Sequence, residues 1–208
     1  MKPARFAAII GALVGAFGLI LQFWLLYADM TQNGATPLEA TWRYFAYFTI
    51  LTNTLVTLVM ARAALKPESY TGLNAPGIEL MAVTSILFVC VVYNLLLASR
   101  WDPQGWQKIA DLIVHDAVPV IFAIFWFLRP HGSLTWRDAG VAAIWPLAYA
   151  VYGLGRGAFD HFYPYFFMDP TKVSYLIIAR NLAGLVVAFL LGAALLLTVS
   201  RALARRQP

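Results

Sequence analysis

Six stretches of about 20 apolar residues, separated by short segments holding Pro, Gly or charge, dominate this chain. A helix of that length spans the ~30 Å hydrocarbon core of a bilayer at 1.5 Å per residue. The stretches lie at roughly 6–28, 43–64, 78–99, 109–129, 138–158 and 173–200. Between them stand Thr36-Pro37, Lys66-Pro67, Ala75-Pro76-Gly77, Asp102-Pro103, Arg129-Pro130-His131-Gly132 and Asp169-Pro170, the chemistry of loops. No connection is long enough for a soluble domain. The expected fold is all-α, a polytopic membrane bundle of six transmembrane helices forming one domain over 1–208. The first stretch follows Lys2 and Arg5 as a signal peptide would. It is too long for a signal core and lacks a small-residue cleavage site, so it reads as a retained span.

Composition supports the bilayer as solvent. Hydrophobic residues make up 61% of the chain and charged residues 12%, about half the share of a soluble domain. The net charge of +5 follows the positive-inside rule better than any nucleic-acid motif. With the N-terminus in the cytoplasm, the inner side holds Lys2, Arg5, Arg62, Lys66, Arg129, Arg137, Arg201, Arg205 and Arg206. The outer side holds Arg43, Arg100, Lys108, Arg156, Lys172 and Arg180. This bias predicts both termini on the cytoplasmic side of the cell membrane, as an even number of spans requires. One cysteine, Cys90, excludes an internal disulfide. His115, His131 and His161 lack metal-ligand spacing, so neither a metal nor an organic cofactor is expected. Gly11, Gly15 and Gly18 let the first helix approach a neighbour closely.

Polar side chains within spans are costly and usually mark a bundle interior or a site. Here they gather at one depth, toward the outer leaflet: Gln22, Thr49, Asn94 beside Tyr93, His115, Tyr149 and Tyr152 with Arg156, and Arg180 with Asn181. Thr49, Thr52, Asn53 and Thr57 share one helix face. Each Thr could instead bond back to its own helix. His115 adjoins Asp116 and lies one turn from Asp111. Pro119 cannot donate to the His115 carbonyl, which predicts a local break at the histidine. Arg180 needs a partner, either Asp116 or Asp111 or a substrate carboxylate. The aromatic stretch 156–170 reads as a lid in the outer interface.

Phe48-Thr49, Thr52-Asn53, His115 followed by Val118-Pro119, and Tyr163-Pro164-Tyr165 before a final span resemble the androgen-induced-protein-like superfamily. The resemblance covers about 40–200 and is nearest to a bacterial six-span branch. Animal members are intramembrane threonine hydrolases of fatty acid esters of hydroxy fatty acids. The resemblance implies Thr49 as nucleophile and His115 as base. Thr52 is the alternative nucleophile, because the animal threonine follows its tryptophan more closely than Thr49 follows Trp42. A cysteine-dependent acyltransferase branch would need Cys90, which lies in a plain apolar stretch.

The expectation is therefore a hydrolase of lipid esters that works on the bilayer and a lipid-like ester or fatty acid. Asp111 or Asp116 would orient His115 or pair with Arg180. Asn53, Asn94 or Asn181 would donate to the oxyanion, and Arg156 or Arg180 would hold a carboxylate. A non-enzymatic carrier of lipids or small molecules is the first rival. A proton-coupled transporter, with His115 and Asp116 as relay, is the second; the polar-poor inner half and the lack of an internal repeat argue against it.

Overall fold

The computed structural model describes residues 2–130 and 134–205, so His131 and Arg206 lie outside the described residues. Among those residues all regular structure is helical. The order is α1 (Pro3–Gln32), α2 (Pro37–Tyr44), α3 (Phe48–Leu65), α4 (Pro76–Val92), α5 (Gly105–Leu112), α6 (Val118–Phe127), α7 (Trp136–Ala142), α8 (Ile144–Asp160) and α9 (Tyr175–Ala204). Two π-helical turns interrupt this pattern. Tyr93–Leu97 extends α4, and Ile113–Ala117 joins α5 to α6.

Among the described residues, five helical stretches are long and apolar enough to cross a membrane: Pro3–Gln32, Phe48–Leu65, Pro76–Arg100, Gly105–Phe127 and Tyr175–Ala204. Their surfaces fit lipid rather than water. On α1, Leu13, Phe17, Ile20 and Trp24 recur at spacings of three and four and all face outward. The small face of the same helix, with Ala7, Ala8, Gly11, Gly15 and Gly18, is buried. It packs chiefly on α3. A methyl group on Gly11 would collide with Met60, and one on Gly15 with Thr57, so these glycines set the distance between the two helices.

Two expected boundaries move. The second span begins at Phe48 rather than near 43, because a separate short helix precedes it. That helix, α2, starts at a Thr36–Glu39 capping box and ends at Tyr44. Thr49 therefore stands in the first turn of α3, not deep within a helix. The expected fifth span, 138–158, is divided at Ala143 into α7 and α8. Pro146 has no N–H to offer the Ala142 carbonyl, which accounts for the break. Alone, α8 has 17 residues and is about 26 Å long, short of the hydrocarbon core.

One end of the bundle is held by charge. Arg129, just past α6, is buried and reaches Glu79 of α4, with Nη2–Oε1 at 2.9 Å. It also donates to the Pro67 and Ser69 carbonyls at 3.1 and 3.0 Å, fastening the α3–α4 connection.

Candidate functional site

At the opposite end, the first turn of α3 meets the π turn that carries His115. A π turn holds more residues per turn than the flanking α-helix and is often found at functional sites. The break expected from Pro119 takes this form. In it, the His115 ring folds back along its own helix. Nδ1 lies 3.1 Å from the backbone carbonyl of Asp111 and 3.0 Å from Asp111 Oδ1. A carbonyl oxygen can only accept, so the proton belongs on Nδ1. Nε2 then presents its lone pair to the Thr49 hydroxyl, with the two atoms 3.4 Å apart.

The imidazole is held on its face as well. The Tyr93 ring, from the first π turn, stacks on it with centroids 3.5 Å apart and planes 7° from parallel. Tyr93 also donates its hydroxyl to Asp111 Oδ2 at 2.7 Å and accepts the Trp101 indole N–H at 2.9 Å. Trp101, Tyr93, Asp111, His115 and Thr49 thus form one continuous chain of contacts. Its order, hydroxyl, imidazole, carboxylate, is that of a nucleophile, its base and the base's orienting group.

Helix geometry places donors beside the Thr49 hydroxyl. The N–H groups of Phe48 and Thr49 belong to the first turn of α3 and have no partner within the helix. The Tyr165 phenol, from the α8–α9 connection, borders both hollows beside Thr49, close enough for hydrogen bonding from Thr49 and Phe48 to lower its pKa. Burial pushes the Tyr165 phenol up to about 12, although these hydrogen bonds act in the other direction. Tyr165 therefore stays protonated and remains a donor. Asn53 locks the two helices together, giving its amide N–H groups to the Thr49 carbonyl at 2.9 Å and the Val114 carbonyl at 3.0 Å.

Thr49 sits between two hollows. A cavity of about 550 Å³ has Thr49, His115 and Asp111 on its wall, with Gln22, Tyr47 and Trp101 among the other lining residues. A smaller slot of about 80 Å³ runs toward α8 and α9, walled by apolar groups such as Phe88, Phe167 and Leu185. Thr49, Tyr93, Leu97 and Tyr165 border both.

Other expected site residues lie apart from this center. Thr52 is fully buried, accepts the Trp145 indole N–H at 3.0 Å and lines neither hollow. Asp116 accepts from Asn94 at 3.0 Å, near Cys90, rather than meeting an arginine. Asn181 donates to the Phe167 carbonyl at 3.1 Å. Arg156 is buried against Asp160 at 3.2 Å and lies over the Trp42 ring, tying α8 to α2. Arg180 is exposed on α9 and lines neither hollow. Among the described residues, no group of three His, Cys, Asp or Glu side chains comes together to hold a metal.

Sequence reasoning put Tyr93 in the polar layer, Trp101 at the outer interface and Tyr165 in the resembling motif, but gave none of them a part in the chemistry. A tyrosine beside Asn94 inside a span was the available signal for the first, and Tyr163-Pro164-Tyr165 for the last. Comparison with protein-family models, with curated proteins and with solved structures finds no match for this chain.

Proposed function

We propose that this chain is a membrane-embedded hydrolase of fatty acyl esters with Thr49 as nucleophile and His115 as general base. The observation that carries the reading is the 3.4 Å approach of Thr49 Oγ1 to an imidazole nitrogen whose opposite nitrogen is engaged by Asp111. That separation is long for a hydrogen bond, as such pairs often are before substrate binds. The resemblance to intramembrane threonine hydrolases points the same way.

In this mechanism the Thr49 oxygen attacks the ester carbonyl and its proton passes to His115 Nε2. The oxyanion is met by the N–H groups at the start of α3 and by the Tyr165 hydroxyl, aided by the positive end of the helix dipole. Collapse releases the alcohol, which takes the proton from His115. Water, deprotonated by His115, then attacks the acyl-threonine, frees the fatty acid and restores the Thr49 hydroxyl. Asp111 keeps Nδ1 protonated and steadies the imidazolium. The chain crosses the cell membrane six times in this reading, with α7 and α8 together as the remaining crossing. Both termini are cytoplasmic and the site is nearer the outer leaflet.

A fluorophosphonate probe tests the chemistry. Labelling mapped to Thr49, lost in Thr49→Ala and His115→Ala together with ester turnover, is the expected result. Wild-type turnover in either variant overturns it. A bound acyl lipid with neither labelling nor turnover identifies a carrier instead, and substrate-driven proton uptake in proteoliposomes identifies a transporter.

A further inference from the structure

The larger cavity contains charge of one sign. Its ionisable lining includes the carboxylates of Asp29 at the rim and Asp111 within, alongside His115, and no Lys or Arg lines it. Two arginines lie near Tyr47 but outside the lining: Arg43 over the Phe162 ring, 3.6 Å from its centroid, and Arg156, which pairs with Asp160. The remaining polar wall is neutral, with Gln107 donating to Gln22 at 2.9 Å. Aromatic rings make up much of the rest, among them Tyr44, Tyr47, Tyr93 and Trp101. A carboxylate brought into such a space would meet two negative groups and, among the described lining residues, no Lys or Arg. A cation would meet carboxylates in a space walled by aromatic residues, the combination that recognises ammonium groups.

We infer that this cavity takes the alcohol part of the substrate and that this part carries an ammonium group rather than a carboxylate. The apolar slot on the other side of Thr49 receives the start of the acyl chain. The inference rests on the hydrolase reading for the position of the scissile ester. It departs from the carboxylate-bearing esters implied by the resemblance, and Arg156 and Arg180 lie outside the cavity that would have to hold such a carboxylate. The substrate class is an acyl ester of an amino alcohol.

Three esters with one acyl chain test it, their alcohol parts ending in trimethylammonium, in its uncharged tert-butyl isostere, or in a carboxylate. Binding is measured by calorimetry on purified Thr49→Ala protein in maltoside micelles, where the esters are not consumed. The ammonium ester should bind about 10-fold tighter than the isostere, and the carboxylate ester more weakly than the isostere. Asp29→Asn and Trp101→Leu, each added to Thr49→Ala, should reduce the ammonium advantage several-fold. An unfolding midpoint in maltoside equal to that of Thr49→Ala shows that these variants remain folded. The inference is overturned if the carboxylate ester binds as tightly as the ammonium ester, or if the advantage survives both substitutions. Turnover of the same esters by the unsubstituted protein is a separate reading. Preference without turnover keeps the inference and removes the hydrolase; turnover without preference does the reverse.

Discussion

At the scale of single residues, Asp111 decides what His115 can do. Among the described residues, the acceptors at Nδ1 are the carbonyl and carboxylate of that one residue. Asp111→Asn keeps the shape but can turn an amide N–H toward the ring, favouring the wrong tautomer. Ester turnover should fall about 100-fold or more, with substrate affinity little changed, as steady-state kinetics would report. Tyr165 offers a different signature. With its phenol pushed up to about 12, it stays neutral and donating throughout the usual assay range. Tyr165→Phe should lower kcat by about 100-fold, the effect of losing one oxyanion donor. Because the group does not ionise there, the ratio of wild-type to variant rates should stay flat from about pH 6 to about pH 10. A ratio that collapses as pH rises would mean that the phenol ionises during the assay.

Helices and their junctions explain which parts of this arrangement were legible in the sequence. The shared depth of Thr49 and His115 could be read from residue counts along two apolar stretches, and the structure brings the pair to 3.4 Å. Windows of apolar residues do not register a three-residue break, so the Phe45–Tyr47 gap that starts α3 at Phe48 was invisible. The position of Arg180 depends on how α9 is rotated about its axis, which counting cannot supply. The stack of Tyr93 on His115 needs two π turns to face each other, and neither alters the hydrophobic pattern. Packing between elements also predicts stability. Arg129→Ala would leave Glu79 charged and buried while freeing the Pro67 and Ser69 carbonyls. The loss should be about 3–5 kcal/mol, seen as a lower unfolding midpoint in detergent, and larger than for the double change Arg129→Met with Glu79→Leu.

Over the whole molecule, the polar groups divide between two ends. The Arg129–Glu79 clamp closes one, and the Thr49–His115 center opens at the other. In the proposed orientation, with both termini cytoplasmic, a cysteine replacing exposed Thr171 should react with a membrane-impermeant maleimide on intact cells. One replacing exposed Lys66 should react only after lysis, and the opposite pattern would invert the proposed orientation. The site itself draws on distant parts of the chain: Gln22 from α1, Thr49 from α3, Tyr93 and His115 from the two π turns, and Tyr165 from the last connection. This spacing orders events during synthesis. Thr49 and His115 can meet once the first four long helices are in the bilayer, but Tyr165 emerges from the ribosome some 50 residues after His115. It also needs α9 to anchor its far side. A nascent chain therefore holds the Thr49–His115 pair before it holds the group that completes their pocket, and in the proposed reading its full activity waits until its last helix is inserted.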